Sequence, residues 1–196
     1  MVAIPNYVDG TWSITVGISS FVAQGILGGY VFTAGIFYTL FKEQFSHVNE
    51  VVISWMCNLP LTLWFLTGPL GSVLTNKFGC RVCAVIGGLC ASVGLALCFL
   101  SINFYMVFVF YGILAGVGNG VHYVGFVTVV NKYFRKYRLI ANLISSIGVT
   151  TGMAVYAALI PHLTEVFGWQ GCLLIMGGIS FNLCALGCSL YPTELS

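Results

Sequence analysis

Long uncharged blocks are the feature that most restricts how this chain can fold. The seven basic and five acidic residues are separated by five such blocks, which cover residues 10–41, 51–76, 82–131, 139–164 and 166–193. A helix that crosses a hydrocarbon core of ~30 Å needs ~20 apolar residues, because each residue rises ~1.5 Å. Each block is therefore long enough to cross a membrane at least once.

The number of crossings follows from the block lengths. Four blocks hold one span each, and the block of 50 residues holds two, divided near Ser101, Ile102 and Asn103. The blocks are continuously apolar, whereas a membrane β-barrel alternates apolar and polar residues. The prediction is an all-α membrane protein with six transmembrane helices, called spans 1 to 6 from here on. We place the bundle at residues 11–191, between cytoplasmic ends at 1–10 and 192–196.

Composition excludes a soluble domain. Only 6% of the residues are charged, against about 25% in soluble proteins. Six of the seven basic residues lie in the second and fourth loops, which share one side of the membrane: Lys77, Arg81, Lys132, Arg135, Lys136 and Arg138. The excess of basic residues on this side predicts that the even loops and both termini are cytoplasmic.

Other classes of function find no support in the sequence. No nucleophile elbow, zinc-protease motif or phosphate loop is present, so no enzyme activity is expected. Cys80 and Cys83 have a CxxC spacing but no second ligand pair, so neither a metal nor another cofactor is expected. The basic cluster near Lys132 is explained by the orientation rule, so no nucleic-acid partner is expected. The expected surroundings are a lipid bilayer.

Glycines repeat every four residues in three spans. The pairs are Gly25 and Gly29 in span 1 and Gly148 and Gly152 in span 5, and span 4 carries Gly112, Gly116 and Gly120. Small residues with this spacing line one helix face and allow close backbone approach. The pattern is consistent with plain bundle packing, or with spans that slide or rock in a transport cycle.

Two stretches resemble the signatures of the monocarboxylate transporters, a family within the major facilitator superfamily. The first is the opening of span 1, with Asp9, Gly10 and Trp12. The second is KYFRKYRLIAN at 132–142, which includes Tyr133, Phe134 and Arg138 and is followed by Gly152. The resemblance extends over nearly the whole chain, from about Asp9 to Pro192.

The resemblance implies a fold of twelve helices in two halves, of which this chain is the N-terminal half. It also implies alternating-access transport of monocarboxylates or related small organic solutes across the plasma membrane, in some members by symport with H⁺. A single-span immunoglobulin-type protein is an ancillary partner of several members. We expect the chain to be a fragment, a short isoform or an incomplete gene product; the alternative function is a non-transporting isoform that binds or regulates another membrane protein.

Polar and aromatic side chains within the spans are the candidates for substrate binding: Tyr30, Phe32, Asn119, His122, Asn142 and Ser145. Asn142 matches a family position that faces the central cavity, but an interhelical hydrogen bond would explain it equally well. For His122 we favour a buried, neutral, hydrogen-bonded ring. Phe32 stands where proton-coupled members carry a lysine, which predicts a cavity better suited to an uncharged or zwitterionic solute than to lactate.

Overall fold

The computed structural model describes residues 11–46, 48–134 and 137–188, and within these ranges it is helical with no strand. The helical segments of the six spans are, in chain order, Thr11–Phe32 and Ala34–Gln44 (span 1), Glu50–Phe78 (span 2), Cys80–Leu97 with the 3₁₀ turn Cys98–Leu100 (span 3), Phe104–Val107, the π-helical Phe108–Leu114 and Ala115–Tyr133 (span 4), and Arg138–Cys188 (spans 5 and 6). We call the end of the bundle at which span 1 begins the inner end, and the opposite end the outer end.

The last helical run contains two spans. Arg138–Cys188 has 51 residues, more than twice what one crossing needs. Gly168 interrupts it with φ 71° and ψ 175°, a conformation that only glycine adopts readily, so that span 5 ends at 167 and span 6 begins at 169. Five described stretches are long and apolar enough to cross a membrane, and the division at Gly168 makes six spans, as predicted.

The other turns are also short. Span 2 ends at Phe78 and span 3 begins at Cys80, with Gly79 at φ 85° between them. The predicted division of the longest uncharged block is confirmed, because residues 101–103 separate span 3 from span 4 outside any helix. At the outer end the Asn49 side chain accepts a hydrogen bond from Val51 N and caps span 2.

Packing between spans relies on close backbone approach. Span 1 lies against span 5, where a Cβ on Gly148 or Gly152 would meet the backbone of Phe21 or Gly25. Span 4 lies against span 2, where a Cβ on Gly116 would stand 3.0 Å from Pro60 Cα. The glycine stripes are therefore packing faces in this bundle. Sliding or rocking of the spans along these faces in a transport cycle remains a prediction.

Aromatic rings fill the outer half of the core. Phe41 contacts Tyr111 of span 4 and Trp169 of span 6 edge-on, with ring centroids 5.7 and 5.8 Å apart. Phe45 contacts Trp169 and Phe104 in the same manner, at 5.8 and 5.6 Å. These rings join spans 1, 4 and 6. The core cluster toward the inner end is built mostly from smaller and aliphatic side chains, with Phe126 and Tyr133 as its buried aromatic members.

Candidate functional site

Phe32 is the one candidate whose side chain is open to the surroundings of the bundle. It is 43% exposed and its ring lies edge-on to Trp64 of span 2, at 5.9 Å between centroids. Trp64 in turn lies edge-on to Tyr123 of span 4, at 5.0 Å. Trp64 is 5% exposed, and its Nε1–H has no partner among the described residues. We call Phe32, Trp64 and Tyr123 the aromatic group.

Asn142 joins spans 4 and 5 near the inner end. Its Nδ2 donates to Asn131 Oδ1 at 2.8 Å and to Arg138 O at 3.0 Å. Arg138 Nε donates to the same Asn131 oxygen at 2.7 Å. The structure thus contains the interhelical hydrogen bond that was one of two alternatives for Asn142. Its role toward substrate stays a prediction.

Ser145 joins spans 5 and 1. Its Oγ lies 2.9 Å from Ser20 Oγ, and it also donates to Ala141 O at 2.9 Å. Because the Ser145 proton points to the Ala141 carbonyl, Ser20 is the donor between the two hydroxyls. Both serines are buried, so this pair ties two helices together inside the bundle.

His122 and Asn119 are buried on the interior side of span 4. His122 Nδ1 lies 2.6 Å from Ala84 O of span 3, and since a carbonyl only accepts, the proton is on Nδ1. The ring packs on Phe126 at 4.7 Å, and Nε2 has no partner among the described residues. Asn119 is 2% exposed, and its Nδ2 is likewise unpartnered within the described part of the chain.

Tyr30 lies in the core rather than at an open surface. It is 2% exposed, and its hydroxyl donates to Tyr111 O at 2.8 Å. The two rings meet edge-on at 5.2 Å. Tyr30 therefore connects span 1 to the π-helical segment of span 4.

Two cavities lie between spans 1 and 5. The outer cavity has a volume of about 500 Å³, and two carboxylates, Glu43 and Glu165, stand at it beside the hydroxyls of Thr39 and Thr164. Lys42 does not compensate them, because its Nζ pairs with Glu50 at 3.0 Å. The inner cavity, of about 260 Å³, is apolar and is lined by Ile14, Ile18, Phe21, Phe134, Tyr137 and Ile144. The outer cavity is therefore negatively charged.

Of the described motif residues, Tyr133, Phe134 and Arg138 lie at the inner end, and Gly152 lies midway along span 5. Asp9 and Gly10 lie outside the described residues, as does the side chain of Trp12. Tyr133 is buried at the end of span 4, and Phe134 follows it. Gly152 forms the close contact with Gly25.

Sequence reasoning missed Trp64 and Tyr123. Both lie in apolar spans, where an aromatic residue gives no signal of its own, and only their contacts with Phe32 single them out. Ser20 and Asn131, which hold Ser145 and Asn142, were also missed, and only these hydrogen bonds single them out.

Comparison with known proteins identifies the family. The sequence model of the Major Facilitator Superfamily matches residues 16–195. The chain is 32% identical over 188 residues to monocarboxylate transporter 6 of Homo sapiens, covering 96% of this chain and 37% of that protein. It is 32% identical to monocarboxylate transporter 14 of Homo sapiens, with 96% and 36% covered, and 33% identical to monocarboxylate transporter 9 of Gallus gallus, with 96% and 37% covered. The chain thus spans less than two-fifths of the length of these relatives. It belongs to the major facilitator superfamily.

Proposed function

We propose that this chain is the N-terminal six-span half of a transporter that moves small organic solutes across a membrane by alternating access, and that it is not an enzyme. The family match over residues 16–195 supports transport. The names of the relatives, and the fraction of their length that the chain covers, support the assignment to one half of a longer protein and to solutes related to monocarboxylates.

The packing of the spans is the observation that carries the proposal. Span 1 crosses span 5 at Gly25 and Gly152, and span 4 crosses span 2 at Gly116 and Pro60. Facilitator halves contain two three-helix repeats of inverted orientation, in which span 1 corresponds to span 4 and span 5 to span 2. The two crossings are equivalent under that relation. Tight crossings of this kind keep the half rigid while it rocks against a second half.

We further propose that the solute is uncharged or zwitterionic. All Lys and Arg side chains of the described residues lie toward span ends: Lys42, Lys77, Arg81, Lys132 and Arg138. A carboxylate that enters the membrane loses hydration, and a cation or several aligned donors must replace it. Phe32 offers an apolar ring instead, and the Trp64 Nε1–H offers one neutral donor.

Charge at the outer cavity supports the same choice. Glu43 and Glu165 stand at the cavity between spans 1 and 5, and Lys42 is engaged with Glu50. At ~8 Å in water two like charges repel by ~0.5 kcal/mol, a modest but consistent bias against a monocarboxylate anion. A neutral or zwitterionic solute would not be repelled.

The location is part of the proposal. The excess of basic residues at the inner end supports a cytoplasmic inner end with both termini inside. The plasma membrane is an expectation from the family resemblance. Coupling to H⁺ and an immunoglobulin-type ancillary protein are expectations from the family resemblance, and the proposed cycle requires neither.

Uptake into liposomes tests the function. The purified 196-residue chain is expected to give no saturable uptake of labelled lactate, pyruvate or a neutral aromatic solute, because the site lies between two halves. The twelve-span parent is expected to take up the neutral solute with saturation. Saturable uptake by the 196-residue chain alone would refute its assignment as a half.

A second arm tests the charge of the solute. In the twelve-span parent, Phe32→Lys is expected to raise lactate uptake under an imposed proton gradient, since it supplies a cation within the span. Robust proton-driven lactate uptake by the unmodified parent would contradict the assignment of a neutral site.

A further inference from the structure

A backbone carbonyl in span 4 receives its hydrogen bond from span 1. In an α-helix the N–H of Ala115 would donate to Tyr111 O, four residues earlier. Here it donates to Phe110 O, five residues earlier, at the end of the π-helical segment Phe108–Leu114. The Tyr111 carbonyl is thereby left without its helical donor, and the Tyr30 hydroxyl occupies that place at 2.8 Å.

The interruption of span 1 lies at the same level of the bundle. Thr33 separates the two helices of the span, with φ −91° and ψ 16°. Its Oγ1 lies within hydrogen-bond distance of Gly29 O, at 2.6 Å, and of Tyr30 O, at 3.2 Å. Tyr30 thus lies at both irregularities: its carbonyl oxygen is 3.2 Å from Thr33 Oγ1, and its hydroxyl donates to Tyr111 O.

The π-helical segment sets the rotation of one part of span 4 relative to the other. A π-bulge behaves as one residue inserted into an α-helix, and one residue corresponds to ~100° of rotation. With the insertion, Tyr111 faces Phe37 and Phe41 at 5.4 and 5.7 Å between centroids. At the same time Asn119 and His122, after the segment, remain buried.

We propose that Tyr30 is a positioning residue for the transport path. Its hydroxyl stabilises the π-helical segment, and the segment fixes how the outer part of span 4 is rotated relative to the part that carries Asn119 and Tyr123. The relevance to transport rests on the function proposed above, but the structural effect of Tyr30 does not. Tyr30 therefore acts through span 4 and not by touching the solute.

Spin-label accessibility tests the rotation in the 196-residue chain, in lipid nanodiscs and with its native cysteines replaced. One label replaces Val109, which lies within the π-helical segment and is 47% exposed. The other replaces Val117, which lies after the segment and is 37% exposed. In Tyr30→Phe the Tyr111 carbonyl loses the donor from span 1, so the segment is expected to relax to an α-helix, in which Ala115 N–H donates to that carbonyl. Collisions of oxygen or a nickel chelate with label 109 should then fall, as the site turns by ~100° toward the interior, while label 117 stays unchanged.

Tyr156→Phe is the matched control. Tyr156 is 5% exposed in span 5, and its hydroxyl has no partner among the described residues, so the same atom is removed without loss of a hydrogen bond. Neither label should respond. An unchanged label 109 in Tyr30→Phe, or equal changes at 109 and 117, would overturn the proposal.

Deletion of Ile113 provides an independent test. Ile113 is 42% exposed, and its removal from the seven-residue segment is expected to give a regular α-helix in which Tyr111 O has a backbone donor. Tyr30→Phe should then move neither label. If Tyr30→Phe alone does not fold, the double variant should fold, and its failure to do so would overturn the proposal. These readouts need no transport, so absent uptake by the parent would count against the proposed function alone.

Discussion

Replacement of Gly152 by alanine should separate spans 1 and 5. The added Cβ would meet the carbonyl oxygen of Gly25 and lie 2.5 Å from its carbonyl carbon and 2.7 Å from its Cα. Carbon atoms in contact are normally ~3.5–4 Å apart, so the helices must move apart by ~1 Å. The obstacle is backbone on a facing helix, which cannot turn aside as a side chain can.

The magnitude follows from two opposing effects. Overpacking a close interface costs ~1–3 kcal/mol, and a backbone obstacle puts this site near ~3 kcal/mol. Alanine is favoured over glycine within a helix by ~1 kcal/mol, so the net loss is ~2 kcal/mol. For a chain of this size 1 kcal/mol corresponds to ~2–4 °C, which predicts that Tm falls by ~4–8 °C.

The native cysteines provide the assay. Six of the eight, among them Cys57, Cys98 and Cys172, are buried, so a thiol-reactive dye reports unfolding in mild detergent. Gly178→Ala is the control, because Gly178 of span 6 is exposed and a Cβ there would have no atom within 4 Å. Its Tm should stay unchanged or rise. Equal Tm values for Gly152→Ala and Gly178→Ala would refute the close crossing of spans 1 and 5.

Three other substitutions are followed in the same assay; two test a hydrogen bond between spans and one tests a turn. Asn142→Ala removes one interhelical hydrogen bond, worth ~0.6 kcal/mol in membrane bundles, and should lower Tm by ~1–2 °C. Asn131→Ala should lower Tm further, because Asn131 accepts from both Asn142 and Arg138. Equal changes in Tm would contradict this shared acceptor. Gly168→Ala places a side chain at φ 71°, where the added Cβ would have no atom within 4 Å. Backbone strain of ~1–3 kcal/mol should therefore lower Tm, whereas Gly178→Ala should not. Equal Tm values for these two variants would contradict the turn between spans 5 and 6.

Spans and turns could be predicted from the sequence because they depend on local composition. The uncharged blocks predict where the chain can remain in lipid, and the charged residues at their ends limit each block. Residues 101–103 divide the longest block, as predicted, and Gly168, the turn between spans 5 and 6, lies three residues after Glu165, which separates the last two blocks. The glycine repeats likewise predict packing faces, because only small residues permit such approach.

The inward or outward direction of each side chain could not be predicted. Lipid and protein core are both apolar, so hydropathy does not separate Tyr30, which is buried, from Phe32, which is 43% exposed. The π-helical segment of span 4 also has no signal in the sequence, since one extra residue leaves the composition unchanged. The sequence marks Tyr30 only as a polar side chain within a span, and its hydrogen bond to Tyr111 is known from the structure alone.

The side of the membrane on which each end lies is the most direct test of the six-span account. A membrane-impermeant thiol reagent can probe a cysteine added at the N-terminus, and the exposed Cys188 near the end of span 6, in intact cells and after permeabilisation. An even number of spans with a basic inner end predicts that both thiols react only after permeabilisation. Reaction of one thiol in intact cells and of the other only after permeabilisation would mean an odd number of crossings, and would contradict the account.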